Sequence, residues 1–200
     1  PRNKDFGCAN ILVRDCIFSS TCSAMRFGFM GNDAIRNVIL DGIIIRQAET
    51  MIDFLCCGGT SFFSTSGENP GTLMENFSFG NIWAENCKWG ITANLHPSAT
   101  REAGIRSMTF TNVHVSSTYG SYLSGCPGRY IRDIMFRDCS FSVKGGSVTT
   151  TVLPETLPLF KSNTFPYSFI LRHVRNIRLE NTVMDSGQSG WTTFQEDSGQ

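Results

Sequence analysis

Apolar and polar residues alternate along this chain in short bursts, and each burst changes phase at a fixed place. In Ile131-Arg-Asp-Ile-Met-Phe-Arg-Asp-Cys-Ser-Phe141, Ile134 and Phe136 are apolar, Asp138 breaks the phase, and Cys139 and Phe141 resume it. Period-two alternation is the mark of a strand with one buried face. A phase break at Asp, Asn or Gly marks a bend, because these residues tolerate left-handed backbone. The same pattern recurs six times, starting at Asn10, Asn37, Asn76, Ser107, Asp133 and Asn176, with no gap inside a copy. One place on stand Ile11, Val38, Phe77, Met108, Ile134 and Ile177; three places on stand Val13, Leu40, Phe79, Phe110, Phe136 and Leu179. The bend falls five places on, at Asp15, Gly42, Asn81, Asn112, Asp138 and Asn181. Six places on are Cys16, Ile43, Ile82, Val113, Cys139 and Thr182; eight places on are Phe18, Ile45, Ala84, Val115, Phe141 and Met184.

The copies start 27, 39, 31, 26 and 43 residues apart. A fixed strand core with spacers of free length predicts a solenoid. Stacking each strand on its equivalent, about 4.8 Å away, predicts an all-β fold, a right-handed parallel β-helix of about six coils. Asn side chains in one column are then expected to hydrogen-bond from coil to coil. A third strand is expected at Ala24 to Gly28, Met51 to Leu55, Gly90 to His96, Gly120 to Leu123 and Ser168 to His173. There Met25, Phe27, Ile52, Phe54, Ile91 and Ala93 point in, and Arg26, Asp53 and either Thr92 or Asn94 stack on an outer face with His96 at its end. Polar, turn-rich insertions at Gly58 to Thr72, Leu95 to Gly104 and Lys144 to Asn163 are expected to wall a groove on that face. The chain reads as a single domain over 1–200, with 185–200 as a C-terminal cap or tail.

Composition narrows the function. Seventeen basic and 17 acidic residues cancel, with no basic excess of the kind that binds nucleic acid. No apolar run is long enough to cross a bilayer, so no membrane partner is expected. Eight Cys occur without a C-x-x-C pair, which argues against a zinc ribbon. Cys16 and Cys139 share an apolar column and read as small core residues; the others are open to disulfide formation. Oligomeric state is not legible. The chain opens at Pro1, almost inside a repeat, as expected of a piece of a longer protein.

The candidate chemistry is sparse. His96, His114 and His173 lack metal-ligand spacing, and no cofactor or metal is expected. His114 stands at an outward place and reads as a surface residue. Hydrolysis of a glycoside needs two carboxylates flanking the bond, and Asp53 is the one carboxylate on the third-strand face. A groove along a β-helix suits an extended polymer, so Arg26, Asp53, Asn94 and His96 are the candidate substrate-binding residues. For Arg26 and Asp53 the alternative is an ion pair across coils.

Asn10-Ile-Leu-Val-Arg-Asp-Cys-Ile-Phe-Ser-Ser, followed by a short strand ending at Gly28, resembles the polygalacturonase-like glycoside hydrolases, family 28. Leu123-Ser-Gly-Cys-Pro-Gly-Arg-Tyr-Ile-Arg-Asp-Ile134, and Pro154-Glu155 with Pro166-Tyr-Ser-Phe-Ile-Leu-Arg-His-Val174, are similar to later segments of that family. The resemblance implies a parallel β-helix, secreted or periplasmic, whose full-length form hydrolyses an acidic, pectin-like polysaccharide. It covers that family's carboxy-terminal part. The family's Asn-Thr-Asp and Asp-Asp motifs do not occur in this chain, Ser23-Ala24 stands where a catalytic His is expected, and Asp53 to Leu55 lacks its Arg-x-Lys. No catalytic residue is therefore assigned, and the 200 residues alone are expected to be inactive. The alternative is a non-catalytic carbohydrate-binding or structural β-helix, of the spike or adhesin kind.

Overall fold

A computed structural model of the chain describes residues 7–29, 33–56, 71–97, 99, 103–154, 163–187, 192 and 195–197. Cys57, most of the Gly58 to Thr72 insertion, Glu155, Trp191 and Phe194 lie outside the described residues. The strands in order are β1 (Cys8–Ser19), β2 (Ser23–Gly28), β3 (Ala34–Cys56), β4 (Leu73–Leu95), β5 (Gly104–Ser117), β6 (Ser121–Ser124), β7 (Ile131–Arg137), β8 (Ser140–Val143), β9 (Phe169–Arg172), β10 (Val174–Glu180), β11 (Val183–Ser186) and β12 (Gln195–Asp197). The described residues contain no helix. The fold is all-β, and its strands pair in parallel in a sheet that does not close.

The register follows the sequence columns. Val13, Leu40, Phe79, Phe110, Phe136 and Leu179 lie one above the next, as do Phe18, Ile45, Ala84, Val115, Phe141 and Met184. Phe79 stacks on Phe110 at 4.7 Å and Phe110 on Phe136 at 4.8 Å between ring centroids. That is the spacing of paired strands, so one in-register column serves both the backbone ladder and the ring stack. The middle of each column is sealed, with Phe79, Phe110 and Phe136 at zero exposure. At the two ends of the stack the same columns open: Val13 is half-buried and Leu179 is exposed.

Both polar columns are bends. The bend residues five places on have φ between 45° and 66°, and so do the residues that start each copy. The sequence marked the first set as bends; the second set turns the chain as well. Their side chains form ladders. Asn37 Nδ2 donates to Asn10 Oδ1 at 3.0 Å and Asn76 Nδ2 to Asn37 Oδ1 at 3.2 Å. In the second ladder Asn112 Nδ2 donates to Asn81 Oδ1 at 2.8 Å, and Asn81 Nδ2 to Asp41 Oδ1 at 2.7 Å. A carboxylate only accepts, so Asp41 fixes which way the two amides point. Gly42 fills its bend with φ +66°, and a Cβ there would lie 2.7 Å from Asp15 Oδ1.

The third strand is present in β2, in the ends of β3 and β4, and in β6 and β9. Phe27, Phe54, Ala93, Leu123 and Leu171 are its inward column. Segments expected to be separate are continuous in β3 and β4, because only a few residues separate their second and third strands. Within the tail, β12 adds a further parallel strand against β9. The outer face departs from the expected open groove. Asp53, Leu55, Thr92, Asn94 and Tyr122 are all buried, so the third strand is covered on both sides. Leu153, Phe165 and Tyr167 pack with Trp89, Tyr122 and Ile170. Leu153, from the Lys144 to Asn163 insertion, and Phe165 and Tyr167 just after it thus lie on this face where Tyr122 and Ile170 stand.

Candidate functional site

The outward column Arg26, Asp53, Thr92, Tyr122 and Ile170 is held in register by the third-strand pairings. Its polar part is a connected network. Arg26 Nε donates to Asp53 Oδ2 at 3.2 Å, Ser23 Oγ donates to the same oxygen at 3.0 Å, and Thr92 Oγ1 donates to Asp53 Oδ1 at 2.6 Å. Arg26 Nη2 donates to Ser23 Oγ at 2.9 Å, which closes the loop of contacts. The Tyr122 hydroxyl hydrogen-bonds the side chains of Asn94 and Thr92. Burial raises its pKa, and the Asp53 charge raises it further, outweighing the lowering by those two hydrogen bonds, so the hydroxyl stays protonated. Asp53 is 1% exposed and Arg26 37%.

Of the two readings open for Arg26 and Asp53, the ion pair across copies is formed. It differs from the expected surface pair in that the carboxylate is buried. A buried carboxylate that accepts from Arg26, Ser23 and Thr92 is a structural centre. Asn94 joins the same network and is likewise buried. Gly28, which ends β2, sits at φ +85° with its Cα so near Leu55 O that a Cβ would lie 2.2 Å away. The expected Gly is therefore a close-approach position.

His96 stands at the exit of β4. Burial lowers its pKa, and the nearby Arg129 charge lowers it further. Arg129 clasps the turn there, donating to the carbonyl oxygen of His96 at 2.9 Å and also to those of Pro97 and Ala99. Beside this clasp is a cavity of about 170 Å³, lined by Arg106, Arg129, Tyr130 and Arg132 among apolar residues. The sequence reading did not single out these arginines.

Their arrangement follows from register. Arg36, Glu75, Arg106, Arg132 and Arg175 form one column, placed one residue before the bends that start the copies. Four guanidinium groups and one carboxylate thus repeat at strand spacing. Glu75 takes up two of them: Arg36 Nε at 2.5 Å and Arg106 Nη2 at 2.5 Å. Burial pushes the Glu75 pKa up, but the hydrogen bond and charge of Arg106, joined by Arg36, outweigh it and hold the carboxyl below its usual range. Arg132 is half exposed and only 3.9 Å from Asp133 at its nearest carboxylate contact. Arg175 lies 3.6 Å over the Tyr130 ring. Ser107 and Asp133, next along the chain from Arg106 and Arg132, line a trough of about 500 Å³ that crosses four copies from Asn76 to Asn176 and includes Arg178.

The seven described cysteines are free thiols, with Cys139 buried in its column as expected. No group of His, Cys, Asp and Glu among the described residues could hold a metal ion. The fold and this site define the class that can be stated: an all-β stack of parallel strands with an arginine-lined edge. Compared with family models, curated proteins and solved structures, the chain matches none.

Proposed function

We propose that the stack is a right-handed parallel β-helix of about six coils, and that it binds an acidic polysaccharide along its arginine edge. The observation that carries this is the in-register column Arg106, Arg132 and Arg175, with Arg106 and Arg132 opening onto one cavity and the next residues, Ser107 and Asp133, lining the long trough. Guanidinium groups repeated along an axis match carboxylates repeated along a chain, and each presents a bidentate fork. A trough crossing four copies suits an extended polymer better than a compact ligand. In the longer protein implied by the resemblance to polygalacturonase-like enzymes, the activity is hydrolysis of a uronic-acid polysaccharide in a secreted or periplasmic setting, with carboxylates supplied from outside these residues. Arg26, Asp53 and Asn94 then support the third strand, and His96 shapes the edge of the binding face.

Titration calorimetry with oligogalacturonate tests the reading. Binding is expected to weaken by about ten-fold in Arg132→Gln, the scale of one charge-assisted hydrogen bond, and to weaken further as salt is added. A neutral galactan of the same length is expected not to compete. Equal affinity for both polymers, or an unchanged affinity in Arg106→Gln/Arg132→Gln, overturns it. Cleavage of polygalacturonate by the purified chain overturns the assignment of binding without catalysis.

A further inference from the structure

The residues seven places into each copy point outward, between the inward columns at six and eight. They are Ile17, Ile44, Trp83, His114, Ser140 and Val183, stacked in register. Trp83 is 53% exposed. Large aromatic rings normally bury most of their surface, so a half-open indole on a strand is a place where something else is expected to pack.

The ring is held in place. Its Nε1 donates to Glu85 Oε1 at 3.0 Å. The His114 ring lies 4.9 Å away at 45°. His114 is itself fixed at both nitrogens: Nε2 is 2.9 Å from Asn112 Oδ1 and Nδ1 is 2.7 Å from Ser140 Oγ. Because Asn112 donates its amide to Asn81, its oxygen faces His114 as an acceptor. The tautomer with its proton on Nε2 satisfies this contact and leaves Nδ1 to accept from Ser140. Beside these two rings is a hollow of about 170 Å³, lined also by Glu85, Ser116, Ser140 and Ser142.

We propose that this hollow binds one residue of a neutral sugar, with its C–H face on Trp83. A pyranose ring offers weakly positive C–H bonds on one face and a rim of hydroxyl groups. The negative face of an indole complements the first, and a carboxylate with three serine hydroxyls complements the second. A ring already immobilised loses little freedom on binding. The hollow lacks Lys and Arg among its lining residues and carries Glu85, which selects against a uronate. Its preference is thus the reverse of that of the arginine edge, and it stands independently of that edge.

The test is an amide and indole NMR titration of the labelled chain with galacto-, gluco-, arabino- and xylotetraose. The Trp83 indole signal, identified by its loss in Trp83→Phe, is expected to move saturably with at least one of them and to stay still with tetragalacturonate. Trp83→Ala is expected to weaken that binding about ten-fold, the scale of one aromatic contact. Circular dichroism and oligogalacturonate affinity are expected to stay within about two-fold of the parent values, since the sites are separate. The proposal is overturned if no neutral tetrasaccharide moves the signal, or if Trp83→Ala binds it unchanged. It is also overturned if the signal moves with protein concentration alone and that movement accompanies dimer formation, which would make the face a contact between copies.

Discussion

Replacing Asp53 by alanine separates a structural carboxylate from a ligand contact. The substitution removes the acceptor for Arg26 Nε, Ser23 Oγ and Thr92 Oγ1 at once. Thr92 is fully buried, and its hydroxyl keeps only a 3.5 Å contact to Ile52 O among its downward bonds. Breaking a buried ion pair by removing one partner costs about 3–5 kcal/mol. Arg26 is 37% exposed and regains some hydration, so the low end, about 3 kcal/mol, applies. For a chain of this size each kcal/mol lowers the melting temperature by about 2–4 °C. The expected drop is therefore about 6–12 °C, read by calorimetry. Asp53→Asn keeps an acceptor for Thr92 but loses the charge, and is expected to fall between Asp53→Ala and the parent. Arg26→Ala strands the buried carboxylate with Ser23 and Thr92 still donating, and is expected at the same low end, about 3 kcal/mol. A double-mutant cycle between the two is expected to show coupling of about 1–2 kcal/mol. Below its melting range, Asp53→Ala is expected to bind oligogalacturonate like the parent. Unchanged melting together with lost binding refutes the reasoning and makes Asp53 a ligand contact.

Three other outcomes follow from the same physics. Glu75 has a folded pKa below its unfolded one, so it contributes stability above the ordinary glutamate range, and that contribution is lost as pH falls through the folded value. Melting curves of the parent and Glu75→Gln are expected to differ most above about pH 5 and to converge as pH falls below the ordinary glutamate range; a constant gap refutes the linkage. Asn81 has φ +52° and two ladder bonds, so Asn81→Ala adds backbone strain of about 1–2 kcal/mol to the lost bonds, while Asn81→Gly loses only the bonds. Urea titration is expected to rank parent above glycine above alanine, and equal stability of the two variants removes strain from the account. Burial raises the Cys87 thiol to about 11, whereas Cys8 and Cys22 are exposed. Iodoacetamide at pH 8, followed by mass spectrometry, is expected to label Cys8 and Cys22 in the native chain and Cys87 only after unfolding.

The stack was legible because two independent signals coincide in each copy. Alternation at Phe77 and Phe79, or at Ile134 and Phe136, defines an inward face, and an Asn or Asp at a fixed offset defines the bend. Together they set a register in which a slip of one residue would expose every phenylalanine. The buried outer side of the third strand was legible only in part. Met51-Ile-Asp-Phe-Leu-Cys56 is apolar at both parities apart from Asp53, which is the pattern of a strand covered on two faces. Read as simple alternation, it left Asp53 outside. The residues packed over Tyr122 and Ile170, among them Leu153, Phe165 and Tyr167, belong to a stretch with no periodicity of its own, so nothing local announced them. The arginine column was present one place before the first aligned residue. It lacks a hydrophobic pattern, and its meaning depends on knowing that Arg106 and Arg132 stand side by side.

The inward columns are committed to the stack, so any chemistry the scaffold offers lies on outward places, and these are fixed by the bends beside them. Arg132 directly precedes Asp133, whose φ is 60° and whose Oδ1 accepts from Asn176 at 2.6 Å. Trp83 stands two residues after Asn81, and His114 two after Asn112, which are joined rungs of one ladder anchored on Asp41. A chain of donors thus runs from His114 through Asn112 and Asn81 to a carboxylate. The ladder that turns the backbone is also what orients the imidazole beside the exposed indole. Left-handed asparagines therefore serve two ends: they set the cross-section of the stack, and they fix the side chains presented on its surface. One register lets each outward column vary independently while the core columns stay apolar, so an arginine-rich edge and an exposed indole stand on neighbouring copies of one stack.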